Sequence, residues 1–109
     1  MADEISDSEE LPETPTRFAE EQPAVWEAYR DLGEACSEAG PLDDETKRLV
    51  KLALAVGAQS EGAVHSHVRR GLEEGHSAAA LEHVATLAVP TLGFPKAMAA
   101  RSWISDLTE

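Results

Sequence analysis

The sequence contains a single cysteine, Cys36, and aromatic residues make up only 5% of it. One cysteine excludes a disulfide within the chain and a structural zinc site built from several thiolates. With so few aromatic residues, we expect a core of alanine, leucine and valine. No segment combines a basic start with a long apolar run, so we predict no signal peptide and no membrane span. The expectation is a soluble cytoplasmic protein.

Basic residues are also scarce, with nine Lys and Arg against 21 Asp and Glu, for a net charge of −12. Half of that charge comes from residues 1–16, which hold six acids and no base. We predict that residues 1–16 form an acidic, disordered tail and that residues 17–109 form one domain. Such a field repels phosphates, so we expect no nucleic-acid or membrane partner. The acidic surface fits either a high-salt habitat (a possible halophile) or simple solubility.

The hydrophobic pattern predicts an all-α fold, because no stretch alternates with a period of two. Proline at a helix start, acids in a first turn and Gly-Pro at a helix end mark the boundaries. Cys36 falls on the apolar stripe of the first long helix, which places it in a core or an interface. Five helices are predicted: from Pro23 to the Gly40-Pro41 pair, from Asp43 or Asp44 to about Gln59, from Glu61 to Glu74, after Ser77, and from Pro95.

The region from Ala78 to Ala100 carries only two charged residues, Glu82 and Lys96. A helix that is apolar on most of its faces has to be buried on most of them. A single domain of this size offers few places to bury it, so we predict a helical homo-oligomer.

The stretch "SEGAVHSHVRRGLEEG", residues 60–75, holds the candidate chemistry. Glu61 and His65 are neighbours on a helix, and a carboxylate beside an imidazole is the arrangement of an acid/base pair. His67 lies about 200° further round the helix from His65. Three alternatives stay open: ordinary helix capping, an acid/base site, or a metal site. A metal would draw its ligands from Glu61, His65, His67 and His83.

Three segments resemble the carboxymuconolactone decarboxylase family, which includes the alkylhydroperoxidase-D-like proteins. They are "LDDETKRLVKLALAVGA", "HVRRGLEEGHSAAAL" and "TLGFPKAMAA". The resemblance covers roughly residues 23–107. It implies a compact, all-helical fold of the alkylhydroperoxidase-D-like type that assembles as a trimer or hexamer.

The sequence departs from the pattern of the family's peroxidase branch. The peroxidase branch of the family has a Cys-x-x-Cys pair, a histidine four residues later and a glutamate one helix earlier. The histidine matches His67, whereas Ser60 and Ala63 replace the cysteines and Arg48 replaces the glutamate. Because the thiolate is the nucleophile of disulfide chemistry, thiol-dependent hydroperoxidase activity is disfavoured, although the fold would attract a peroxiredoxin label.

The decarboxylase branch, which handles a small anionic lactone by acid/base chemistry, matches better because it also lacks the cysteines. We therefore expect a cofactor-free enzyme acting on a small anionic or carbonyl-bearing molecule. Arg48, Arg69 and Arg70 offer positive charge for such a substrate, although Arg69 and Arg70 could instead pair with Glu73 and Glu74. A non-catalytic, ligand-binding or scaffold oligomer is the alternative. The catalytic candidates are Glu61, His65 and His67, with His83, Arg48 and Ser60 as possible supporting residues.

Overall fold

A computed structural model describes residues 13–109, which form six α-helices and contain no strand. This confirms the all-α prediction for the described residues, and all five helices predicted from Pro23 onward are present. The first helix begins within the predicted tail, whose residues 1–12 lie outside the described part of the chain. The helices are α1 (Glu13–Glu21), α2 (Pro23–Glu38), α3 (Asp44–Gly57), α4 (Glu61–Glu73), α5 (Ala78–Leu92) and α6 (Phe94–Thr108).

The chain divides into two compact units, with the boundary between Pro41 and Leu42. Helices α1 and α2 belong to the first unit, and α3 to α6 belong to the second. This division falls inside the single domain predicted over residues 17–109, and that domain assignment stays a prediction.

Very little of helix α2 is buried. Its only buried residue is Gly33, whereas Val25 and Leu32 are more than half exposed. Cys36, expected in a core or an interface, is exposed in the single chain, so it is not a core residue, and its place in an interface stays a prediction.

Side-chain caps begin three helices of the second unit. Asp43 accepts a hydrogen bond from the Thr46 amide at 2.8 Å, and that bond lowers the pKa of the Asp43 carboxyl. Ser60 and Ser77 accept bonds of the same kind at the starts of α4 and α5. These caps satisfy amides that have no partner inside the helix, which explains why the sequence fixes the starts of α3, α4 and α5.

The core of the second unit is aliphatic, as the composition predicts. It joins residues from all four helices, so α4 is held between α3, α5 and α6. The buried apolar residues are Leu52, Ala55, Val56, Val64, Val68, Leu81, Ala85, Ala97, Ala100 and Ile104. None of the described helices is long and apolar enough to span a bilayer.

Gly71 is a point of close approach between α4 and its neighbours. A Cβ atom at this position would lie 2.9 Å from a Leu81 methyl group and 3.6 Å from the Cγ of Arg48. The missing side chain therefore lets Leu81 of α5 lie directly against the helix, whereas the distance to Arg48 would be an ordinary contact. Leu72, the next residue along α4, is 37% exposed.

Candidate functional site

Helix α4 presents its two histidines to different neighbours. His67 is only 2% exposed and meets Arg48 of α3, whereas His65 is partly exposed and meets Asp106 of α6. Residues two apart on a helix point about 200° away from each other, and the structure follows that rule. The three catalytic candidates are thus divided between two clusters.

The buried cluster consists of Arg48, His67 and Glu74. Arg48 donates from Nη1 to Nδ1 of His67 at 2.7 Å. It also donates from Nε and Nη2 to the two carboxylate oxygens of Glu74, at 2.9 and 2.7 Å. This is a two-pronged guanidinium–carboxylate pair, which fixes the plane of the guanidinium as well as neutralising its charge. The Arg48 side chain is 3% exposed and that of Glu74 is 44% exposed, so the pair extends from the interior to the surface.

The partly exposed cluster consists of Glu61, His65 and Asp106. His65 Nε2 lies 2.9 Å from Oδ2 of Asp106. One potential metal-ligand atom of each of these three residues lies within 4.8 Å of the corresponding atoms of the other two. The His65 and Asp106 side chains are 31% and 52% exposed, so a small molecule has access to the imidazole.

His83 lies in neither cluster. It lines an open cavity of about 520 Å³ between α3 and α5, whose other lining residues are mostly aliphatic. His83 therefore stands apart from the metal-ligand group considered from the sequence. Ser60 has a structural contact of its own, because its hydroxyl caps α4.

The sequence predicts neither Asp106 nor Glu74 as a site residue, and it offers Glu74 only as a partner of Arg69 or Arg70. Asp106 lies 41 positions from His65, and no local pattern connects them. Glu74, the C-cap residue of α4, lies two helical turns after His67 and therefore on the same side of the helix. Its carboxylate binds Arg48. The Nε and Nη2 atoms of Arg70 are buried and make no hydrogen bond within the described part of the chain.

Comparison with known proteins gives one match. The model of the carboxymuconolactone decarboxylase family matches residues 23–106, most of the chain. The chain belongs to the carboxymuconolactone decarboxylase family. This confirms the family resemblance noted in the sequence. No curated protein and no solved structure matches the chain significantly.

The buried cluster can be compared with the residues that the carboxymuconolactone decarboxylase family resemblance implies. Arg48 stands where the resemblance implies a glutamate, and it contacts the histidine that the same resemblance singles out, His67. Ser60 and Ala63, to which the resemblance assigns the cysteine positions, lie in the cap and the first turn of α4. If the resemblance is followed residue by residue, His67 takes the place of the family's histidine, and Arg48 and Glu74 are its surroundings.

Proposed function

We propose that this member of the carboxymuconolactone decarboxylase family is a cofactor-free enzyme that transfers protons on a small anionic or carbonyl-bearing molecule. The observation that carries this proposal is the His65–Asp106 contact beside Glu61. Glu61 and His65 lie in the segment to which the family resemblance assigns the reactive residues. An exposed imidazole held by a carboxylate is the arrangement of a general base and its orienting group.

The direction of the hydrogen bond assigns a role to each nitrogen of His65. An ionised carboxylate only accepts hydrogen bonds, so Nε2 of His65 donates to Asp106. In the neutral ring, Nδ1 then carries the lone pair and is the atom that takes a proton from a substrate. Glu61, one turn earlier on α4, adds a second carboxylate that stabilises the imidazolium formed in that step.

His67 contributes to this function from the interior side of α4. It is too deeply buried to meet a substrate in the single chain, and we propose that its network with Arg48 and Glu74 holds α4 in register with α3. Ser60 supports the site by fixing the start of α4, the turn that carries Glu61 and leads to His65.

The test is proton exchange and decarboxylation on a panel of small lactones and β-keto acids in heavy water, followed by NMR. We expect His65→Gln to slow turnover at least ~100-fold, the usual contribution of a positioned acid/base group. His76→Gln is the matched control, because His76 follows α4 and belongs to neither cluster. If neither His65→Gln nor His67→Gln alters the turnover of any substrate, the enzyme is excluded and the ligand-binding or scaffold alternative takes its place.

Thiol-dependent peroxidase activity has its own test, consumption of a hydroperoxide in the presence of a thiol reductant. We expect none, since Cys36 is the only thiol in the chain and the family's cysteine pair is absent. Peroxide consumption that disappears in Cys36→Ser would overturn this expectation.

The proposed enzyme is a homo-oligomer, a trimer or hexamer. Supporting it, the open cavity between α3 and α5 is lined by Leu87 and Val50, which are 62% and 43% exposed. Exposed aliphatic side chains on two adjacent helices are typical of a subunit interface. Light scattering on Leu87→Glu should give a smaller species than wild type, and Leu107→Glu on α6 is the control. A wild-type chain that is monomeric at high concentration would contradict the oligomer.

A second candidate function is the binding of a divalent cation by Glu61, His65 and Asp106. The observation in its favour is the convergence of one imidazole nitrogen and two carboxylate oxygens within 4.8 Å. Ligands of one zinc ion, each about 2.1 Å from the metal, lie ~3.5 Å apart, so small rotations of three side chains bring them into place. Such a set suits zinc or manganese.

The two candidate functions cannot both use His65, because a ring nitrogen that binds a metal cannot also accept a proton or donate a hydrogen bond to Asp106. Elemental analysis after purification without chelator, followed by calorimetric titration with zinc chloride, separates them. Binding that is lost in Asp106→Asn would favour the metal site. Protein that neither retains nor binds zinc or manganese would exclude the metal site, and acid/base catalysis would remain the proposed function.

A further inference from the structure

The hydrogen bond between Arg48 and His67 determines which nitrogen of the buried imidazole carries the proton. A guanidinium has only donor groups, so Nδ1 of His67 has to accept the 2.7 Å bond from Nη1. A neutral ring with a lone pair on Nδ1 bears its proton on Nε2. The contact therefore allows one of the two neutral tautomers.

Glu74 holds the guanidinium in the orientation that makes this bond. Its two carboxylate oxygens take Nε and Nη2, which leaves Nη1 directed at His67. Because the guanidinium is planar and both contacts to Glu74 are short, Arg48 has little freedom to turn away. The stem of Arg48 passes beside Gly71, where a Cβ atom would lie 3.6 Å from its Cγ, an ordinary van der Waals distance.

A carboxylate at the position of Arg48 would impose the opposite arrangement. It would accept a hydrogen bond from Nδ1–H and leave the lone pair on Nε2, as in a general base oriented by a carboxylate. In the exposed cluster, Asp106 has this orienting role toward His65 through the other ring nitrogen. The two histidines of α4 are thus oriented by partners of opposite charge.

We propose that Arg48 and Glu74 are positioning residues that fix His67 as a hydrogen-bond donor at Nε2. His67 then carries its proton at Nε2, where it is a hydrogen-bond donor and does not act as a base. The consequence for the reaction, that His65 alone is the base, rests on the proposed function. The assignment of the His67 tautomer does not depend on the proposed function.

The test is long-range hydrogen–nitrogen NMR on protein labelled in its histidine rings, at mildly alkaline pH, with the His67 signals assigned through His67→Gln. In the wild-type protein we expect Nε2 of His67 to be protonated and Nδ1 to be bare. Exchanging the pair, Arg48→Glu with Glu74→Arg, keeps the opposite charges together but places an acceptor beside Nδ1. The proton should then move to Nδ1.

Two further variants keep the proposal open to refutation if the exchanged pair does not fold. Glu74→Gln retains the donor, so His67 should keep its proton on Nε2. Arg48→Met removes the donor, so both tautomers should appear. A wild-type ring protonated on Nδ1, or on both nitrogens, would overturn the proposal, as would a tautomer unchanged in Arg48→Met. Since no substrate is present, these outcomes are independent of whether His65→Gln abolishes turnover.

Discussion

The two sides of helix α4 differ in what their polar residues contact. On the interior side, His67 is 2% exposed and belongs to a network of three short hydrogen bonds around Arg48. On the other side, His65 is partly exposed and contacts Asp106, whose side chain is about half exposed. Buried polar contacts are costly to break and exposed ones are not, so the interior cluster should govern stability and the exposed cluster chemistry.

Among the variants that test the difference between the two sides of α4, Glu74→Ala should change the free energy of unfolding most. The change leaves the 97% buried Arg48 side chain without its paired carboxylate, and we expect a loss of about 3 kcal/mol in the free energy of unfolding. Urea denaturation measures it. The double variant Arg48→Met with Glu74→Ala should recover most of the loss, because no buried charge then remains. A double variant as unstable as the single one would show that the network does not act through the buried charge.

Gly71→Ala tests the packing of the same interior side. The new methyl group would lie 2.9 Å from Leu81, so a loss of ~1–3 kcal/mol from overpacking should outweigh the gain of about 1 kcal/mol in helix propensity. Gly62→Ala is the matched control, since Gly62 lies on the same helix with open space around its Cα. It should stabilise the protein by roughly 0.5 kcal/mol. Equal effects at the two glycines would contradict the difference between the two sides.

Ser60→Ala tests the turn that carries the exposed cluster. Loss of an N-cap costs about 1 kcal/mol, and the 3.3 Å length of this bond places the expected loss at the lower end of the range. Thermal denaturation measures it, with Ser60→Asp as the control that restores a capping oxygen. Full loss of turnover in Ser60→Asp would assign Ser60 to the reaction and not to the cap.

The sequence is a good guide to the helices because their signals are local. Proline at the start of α2, caps at Asp43, Ser60 and Ser77, and Gly75 with a positive φ after α4 each act within one turn of the chain. The same reasoning anticipated that His65 and His67 face different ways, since that follows from helical geometry alone.

The partners of these histidines depend on how the helices pack. Asp106 reaches His65 because α6 lies beside α4, and Arg48 reaches His67 because α3 packs against α4. The sequence names Arg48 as a departure from the family pattern. Its bonds to His67 and Glu74 become visible only when the register of α3 against α4 is known.

Asp106→Asn should have the smallest effect on stability and separates the two sides of α4 most directly. A contact as exposed as the one between His65 and Asp106 contributes less than about 1 kcal/mol, so the urea midpoint should barely move. An asparagine amide does not stabilise the imidazolium that forms when His65 takes up a proton, so turnover should fall while the fold persists. Glu82→Gln is the control: Glu82 is also a carboxylate that contacts α6, through Thr108, and it lies outside both clusters. Variants that lose stability and activity in parallel would show that the exposed cluster is structural after all.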